Sequence, residues 1–394
     1  MVAATICLSY TGDMFANLVQ HWQDQLDVTV LGGTPWLRWF VDNLIDLLTS
    51  PLTGLRTRSY WPELLAALLI AAALFAIRIP RAERGLRNFL KFCFPASQWR
   101  HRSTWVDWQI IVLNQFFAKS FNLTWRFNTA LVTTWVVAHM TRAFGPGPHL
   151  LVWNTPAVVA YTILIAVADD FSYYVFHLAS HRIPWFWAFH KVHHSAETLQ
   201  VFANVRTHPM EYCIGGPIKA VIMPIILAPA IYFGTGNATT IQILGMDLTA
   251  VLWCVLGTQL HHSHVWLSWG RVLNHVLISP SMHQVHHSSA PRHWNRNLGA
   301  NIALWDWIFG TIYVPHGYEE LSFGLGAGQK QPYNNGLEAY FRPFWDITPN
   351  WGKAIVRTEL ARLRSLLPGR PASPPVSTQI LAPASSNAIE ASPR

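Results

Sequence analysis

The chain has 394 residues, of which 51% are hydrophobic and 12% charged, with 20 Trp and a mean hydropathy of +0.20. So few charges argue against two or three soluble domains and for a polytopic membrane protein with aromatic residues at the lipid interfaces. The formal charge of +8 is not spread as a nucleic-acid face: Arg81, Arg84, Arg87, Lys91, Arg100 and Arg102 crowd into one stretch and read as cytoplasmic anchors at an anionic leaflet.

In chain order, Trp36–Leu48 places Leu37, Phe40, Val41, Leu44 and Leu47 at helical spacing and predicts an amphipathic interfacial helix. Leu64–Ile79 predicts a first span of about minimal length. Residues 108–140 are apolar but interrupted by Lys119 and Arg126, which fits one tilted span or an interfacial helix leading into a span. Gly145-Pro-Gly-Pro148 predicts a turn. Leu150–Tyr174, Tyr212–Phe233 and Thr240–Leu260 predict three more spans, and the Pro-, Ser- and Ala-rich tail from Pro368 predicts disorder. Cys7, Cys93, Cys213 and Cys254 form no C-x-x-C pair and read as small buried hydrophobes. No basic-then-apolar leader predicts a cleaved signal peptide. Gly324-Leu-Gly-Ala-Gly328 lacks a flanking strand and helix and reads as a flexible loop. The expected fold is all-α: a polytopic membrane protein with about four to five transmembrane helices and a cytosolic, helical, His-rich cap.

The chemistry lies in the 19 histidines. His177-Leu-Ala-Ser-His181 is an H-x-x-x-H pair, of a kind chance supplies about once in such a chain. His190-Lys-Val-His193-His194 and His283-Gln-Val-His286-His287 are H-x-x-H-H strings, each expected by chance roughly 0.04 times. On a helix, positions i, i+3 and i+4 share a face, so each box presents its imidazoles as a cluster. If the basic segment 80–107 is cytoplasmic, alternating spans place all three boxes in that compartment, as a shared site requires.

Eight neutral imidazoles exceed the four ligands of a structural zinc, which usually include thiolates, and imply two metal ions. There is no H-E-x-x-H, which weighs against a zinc protease. An almost all-nitrogen pair beside lipid fits redox iron that activates O2 to attack an unactivated C–H bond.

The order of the boxes resembles the fatty acid hydroxylase/sterol desaturase superfamily of integral-membrane di-iron oxygenases. Smaller signatures agree: Asp170 seven residues before His177, Trp185 and Trp187 before the second box, His194-Ser-Ala-Glu197, Arg206-Thr-His208-Pro-Met-Glu211, Ser279-Pro280, Asn297-Leu-Gly299 and Trp305-Asp306-Trp-Ile-Phe-Gly310-Thr. The resemblance covers roughly residues 160–315. It implies metal ligands at His177, His181, His190, His193, His194, His283, His286 and His287, and a further ligand among His261, His262 and His264. His262 is preferred because its His-Ser pair then aligns. Asp170, Glu197, Glu211 and Asp306 are candidates to receive the outer N–H of a metal-bound imidazole, or simply caps and turn anchors. His208 is a candidate outer partner, ligand or turn-stabilising residue; His275 and His293 are read as neighbours of the site.

The resemblance also implies two Fe ions, with Zn a possible substitute in purified protein, O2, and an external electron donor of reductase, ferredoxin or cytochrome type. No flavin or haem module is evident in the sequence. The expected organisation is an interfacial and transmembrane region over 1–140, a catalytic domain over 141–320, a cap extension over 321–367 and a disordered tail over 368–394. The expected function is O2-dependent hydroxylation or desaturation of a fatty acyl, sterol-like or isoprenoid lipid, with no nucleic acid partner. The rival is a membrane metal transporter or sensor, which would carry ionisable groups at mid-span. Residues 150–166, 214–233 and 240–260 hold almost none apart from Lys219 and Asp247.

Overall fold

A computed structural model describes residues 61–120, 129–235, 240–243, 246–326 and 331–365, together with 41 and 45. The expected interfacial helix at 36–48, apart from those two residues, and the expected disordered tail lie outside the described residues. Helices dominate: α1 (Trp61–Arg78), α2 (Leu86–Cys93), α3 (Ala96–Trp99), α4 (Arg102–Ser120), α5 (Thr129–Phe144), α6 (Thr155–Arg182), α7 (Pro184–His194), α8 (Pro209–Ile222), α9 (Pro224–Phe233), α10 (Leu248–Val255), α11 (Gly270–Leu273), α12 (Pro280–His286), α13 (Leu304–Ile308) and α14 (Gly336–Ile347). A two-residue antiparallel pair, Gln242↔Asp247 and Ile243↔Met246, is the one named sheet among the described residues. The chain beyond Ile347 forms a separate unit whose described part contains α15, Asn350–Ser365.

Among the described residues two helices are long and apolar enough to cross a membrane, Thr155–Arg182 and the α8–α9 rod Pro209–Phe233. The four to five spans read from hydropathy differ from this in three places. The expected span Leu64–Ile79 falls on α1, which is not one of the two. Residues 108–140 fall on two helices, α4 and α5, rather than one. The expected span at 240–260 holds only the eight residues of α10, about 12 Å of helix against the roughly 30 Å of a bilayer core. The two-residue strand pair precedes α10, and Gly257, at φ 71, turns the chain two residues after it. Apolar composition is shared by spans and buried turns, so hydropathy alone could not separate them.

The site-bearing helices start where local chemistry starts them. Asn154 accepts from Ala157 N at 3.0 Å at the head of α6, with Pro156 behind it, and Ser279 caps α12 ahead of Pro280. These are the side-chain cap and first-turn proline that satisfy or remove orphan N–H groups. Gly145-Pro-Gly-Pro148 forms the expected break, with Gly145 at φ 87 and its carbonyl accepting from Tyr232 Oη at 3.0 Å.

α7 is fixed from two sides. Phe189 packs on Phe176 of α6 and Ile214 of α8, while its ring meets Phe344 of α14 edge-on at 5.1 Å. On the other side Val192 lies in a cluster with Val106 and Ile110 of α4 and Tyr333. Arg206, wholly buried, spans the same joint. Its guanidinium donates to Val192 O at 2.9 Å, Ser195 Oγ at 2.8 Å, Ser103 O at 3.2 Å and Asp107 Oδ1 at 2.7 Å. Asp107 also accepts from Gln200 Nε2 at 2.8 Å. The helix carrying three of the boxed histidines is thus tied to α4, upstream of the segment where the motifs lie.

Candidate metal centre

α6 contributes His177 and His181, one turn apart. α7 contributes His190, His193 and His194, and α12 with its C-cap contributes His283, His286 and His287. His262 follows a 3-10 turn, Thr258–Leu260. All nine come together, in two groups: His177, His181, His190, His194 and His286 in one, and His193, His262, His283 and His287 in the other. Within each group one ring nitrogen of every member lies within 4.8 Å of the others. The groups adjoin, since the rings of His194 and His287 stack at 4.6 Å across the boundary. His193-His194 and His286-His287 each send their two side chains to different groups.

The first group is held by acceptors behind it. His177 Nδ1 donates to Leu298 O at 2.7 Å, His286 Nδ1 to Arg296 O at 2.7 Å, His181 Nδ1 to Asn295 Oδ1 at 3.2 Å and His190 Nδ1 to Glu211 Oε2 at 2.8 Å. Carbonyl and carboxylate oxygens only accept, so these four rings keep their proton on Nδ1 and turn a lone pair on Nε2 inward. Those Nε2 atoms on His177, His181 and His286 are buried without a hydrogen bond. That of His190 faces His194 Nε2 at 3.2 Å. Inward lone pairs with no proton between them suit a cation, and outer N–H bonds to carbonyls and carboxylates are what metal-bound imidazoles make.

In the second group His262 Nε2 lies 3.1 Å from His193 Nε2, 3.0 Å from His287 Nε2 and 3.1 Å from His283 Nε2. His262 Nε2 offers either one N–H or one lone pair, so it cannot serve all three contacts as a hydrogen-bonding partner. Metal–imidazole bonds of about 2.0–2.1 Å place neighbouring nitrogens about 2.9–3.4 Å apart, from octahedral to tetrahedral angles. Both groups fit a metal ion with an all-nitrogen shell. Burial, reinforced by neighbouring imidazoles, holds His190, His194, His283 and His287 well below the usual histidine range, and burial brings His286 to about 4. The rings are therefore neutral at physiological pH, the state that ligates.

The other candidates take different places. Of the carboxylates expected to back an imidazole, Glu211 does so. Asp170 instead accepts from Asn301 N at 2.9 Å, Ile302 N at 3.3 Å and Trp305 Nε1 at 3.2 Å. Asp306 accepts from Leu298 N at 2.7 Å, Gly299 N at 2.8 Å and Thr311 Oγ1 at 2.6 Å. It holds the loop whose Leu298 carbonyl receives His177. Glu197 is exposed, and it is its backbone N–H that donates, to Ser103 Oγ. His264 Nε2 donates to Phe92 O at 2.7 Å, and His261 stacks on His283 at 5.0 Å outside the two groups. His275 is exposed, and His293 sits with Arg292 and Glu319. Sequence reasoning passed over the acceptors from Asn295 to Leu298. Asn295 and Asn297 adopt φ 56 and 54, and their spacing in Trp294-Asn-Arg-Asn297 was a usable signal, since Asn tolerates the left-handed region.

Residues 162–311 match the fatty acid hydroxylase family. This segment is similar to the fatty acid hydroxylase superfamily. The hydroxylase-family segment carries all nine grouped histidines and Glu211. Among similar proteins, alkylglycerol monooxygenase of Xenopus tropicalis is 28% identical over 179 residues, 44% of this chain and 34% of that protein. An ornithine lipid hydroxylase of Rhizobium tropici is 26% identical over 172 residues, 42% and 46% of the two chains. A very-long-chain aldehyde decarbonylase of Oryza sativa subsp. indica is 28% identical over 171 residues, 43% and 26%. The chain thus spans less than half the length of each of these relatives. No solved structure gives a significant match.

His208 and Glu211 form a reciprocal cap at the head of α8. His208 Nδ1 accepts from Met210 N at 3.1 Å, its Nε2 donates to Tyr340 O at 2.9 Å, and Glu211 Oε1 accepts from His208 N at 3.0 Å. Protonating His208 would place a proton on the very atom that accepts the cap bond, and burial lowers its pKa to about 4, against about 6.5 when unfolded. Between those values the unfolded chain binds a proton that the folded chain does not. This contribution is therefore complete above about pH 6.5 and is lost as pH falls toward 4, amounting to about 3 kcal/mol. Thermal unfolding followed from pH 7 to 4.5 should show this loss, and His208→Gln should flatten the slope. An unchanged slope would assign the acid sensitivity elsewhere.

Glu211 has its second oxygen on His190, so Glu211→Gln should weaken metal retention by about 10–100-fold, the usual effect of losing an outer partner. Competition with a chelator measures it. Retention equal to the parent protein would remove Glu211 from the site.

Proposed function

We propose that this chain is a membrane-bound, non-haem di-iron oxygenase that hydroxylates a lipid. The observation that carries the reading is the pair of adjoining all-imidazole groups, with the Nε2 atoms of His177, His181 and His286 buried without a hydrogen bond, at one end of a helix long and apolar enough to cross a bilayer. Imidazole nitrogen suits Fe, and Zn can replace it in purified protein. Two bound irons would supply the O2 activation that attacks an unactivated C–H bond, with electrons from a separate reductase, ferredoxin or cytochrome-type donor.

The protein's own part is positional. Leu298, Arg296, Asn295 and Glu211 fix the tautomer and ring plane of four imidazoles. Burial of both groups excludes water and keeps the rings neutral. The relatives include an alkylglycerol monooxygenase and an ornithine lipid hydroxylase, which favours oxygen insertion over desaturation and a lipid as substrate. His208, Asp170 and Asp306 act here as a cap and two loop anchors, and the nine grouped histidines as ligands.

Lipid extracts from cells with and without the gene test the function directly. The expected result is a species heavier by one oxygen that requires the gene; a lipidome indistinguishable between the two would sink the assignment, and loss of two hydrogens would replace hydroxylation by desaturation. We place the His-bearing cap in the cytoplasm because the cations at 81–102 favour that side. A reporter fused after residue 200 should read cytoplasmic; the opposite reading would invert the topology.

A further inference from the structure

We infer that α2 is a surface helix that binds an anionic lipid bilayer through a mixed cationic and apolar face. This rests on the membrane reading above and goes beyond it by assigning a lipid-recognising element outside the hydroxylase-family segment. Leu86, Leu90 and Phe94 recur every four residues and are exposed to 74%, 47% and 50%. Arg87 and Lys91 sit beside them on the same exposed side, and Arg81, Arg84, Arg100 and Arg102 are exposed on the flanking turns. Between residues 81 and 102 the only acidic residue is Glu83.

The opposite face of α2 is occupied. Phe89 and Phe92 meet Phe75 of α1 at 5.4 and 5.5 Å, so the helix lies across the end of an apolar 18-residue helix. If α1 runs into the bilayer, its last turn at Arg78 brings α2 to the depth of the headgroups. Phe94, exposed at the end of the row, meets Trp99 edge-on at 5.1 Å. An apolar row flanked by cations is the pattern of a helix lying in the plane of an anionic surface.

A docking site for an acidic protein would also use the cations. It does not explain an exposed row of Leu86, Leu90 and Phe94 at the end of an apolar helix, so the bilayer is the occupant the observations favour. The helix is also wired to the site, since Phe92 O accepts from His264, two residues after His262.

The test uses the full chain with its four cysteines replaced by alanine, Leu90→Cys labelled with an environment-sensitive nitrobenzoxadiazole, and nanodiscs of phosphatidylcholine with or without phosphatidylglycerol. With phosphatidylglycerol the label should be quenched by doxyl-lipids and several-fold less by acrylamide. Each cation near such a surface contributes about a fivefold preference. Arg84→Gln, Arg87→Gln and Lys91→Gln together should thus lower the preference for the anionic lipid by roughly a hundredfold and return the label to water. A label open to acrylamide in both lipids would overturn the inference, as would shielding that appears only when an acidic ferredoxin is added. Alkaline carbonate extraction separates the two readings. If the parent protein stays in the membrane while residue 90 is exposed, only this inference fails; if carbonate releases the protein, the membrane reading fails with it.

Discussion

On the proposed two-metal reading, replacing His262 with alanine should leave one tightly held metal ion per chain in place of two, and should abolish lipid oxidation. His262 Nε2 stands 3.0–3.1 Å from three other Nε2 atoms, so its removal takes the middle out of a four-nitrogen group. The loss should exceed the 10–100-fold that an outer partner contributes. The first group keeps all five of its imidazoles and should keep its ion. His264→Ala is the control: that ring spends its Nε2 on Phe92 O, so two ions should remain. Metal analysis of freshly purified protein decides it. Two ions retained in His262→Ala, or one lost in His264→Ala, would dismantle the grouping.

Replacing Arg206 with methionine should destabilise the fold by about 3–5 kcal/mol, the usual consequence of removing one partner of a fully buried ion pair. Methionine preserves much of the side-chain volume, so the effect isolates the lost charge and hydrogen bonds. Asp107, wholly buried, would lose its charged partner while keeping only Gln200. Val192 O and Ser195 Oγ would lose donors on either side of His193 and His194. Thermal unfolding of the Arg206→Met and Asp107→Asn single variants and of the double variant gives the coupling. The double variant should be less destabilised than the sum of the singles; strict additivity would mean the pair does not act as a unit.

The candidate site was legible in the sequence wherever side chains form it. The i, i+3, i+4 spacing of the boxes required each to present one imidazole face, and the structure draws the boxed residues together. His262 could be separated from His261 and His264 only by aligning its neighbour Ser263 with the superfamily pattern. What escaped is what the sequence does not encode by residue type. The acceptors behind His177 and His286 are backbone carbonyls, which every residue has. Asp170 and Asp306 are buried carboxylates, as expected of partners to an imidazole, but a buried carboxylate serves equally well to gather the N–H groups of a loop. The helical character of the fold was legible for the same reason as the boxes. The span at 240–260 was not, because hydropathy records apolar content while Gly257 and a two-residue strand pair decide the path of the chain.

The dipeptides His193-His194 and His286-His287 place consecutive residues in different groups: His193 and His287 in one, His194 and His286 in the other. Consecutive Cα atoms sit about 3.8 Å apart across a trans peptide, and that length neither stretches nor rotates with the packing of helices. The two imidazole groups are therefore joined twice through adjacent residues, once on α7 and once at the end of α12. A shift of α7 against α12 would carry residues of both groups on either helix, so neither helix can move toward one group without moving at the other.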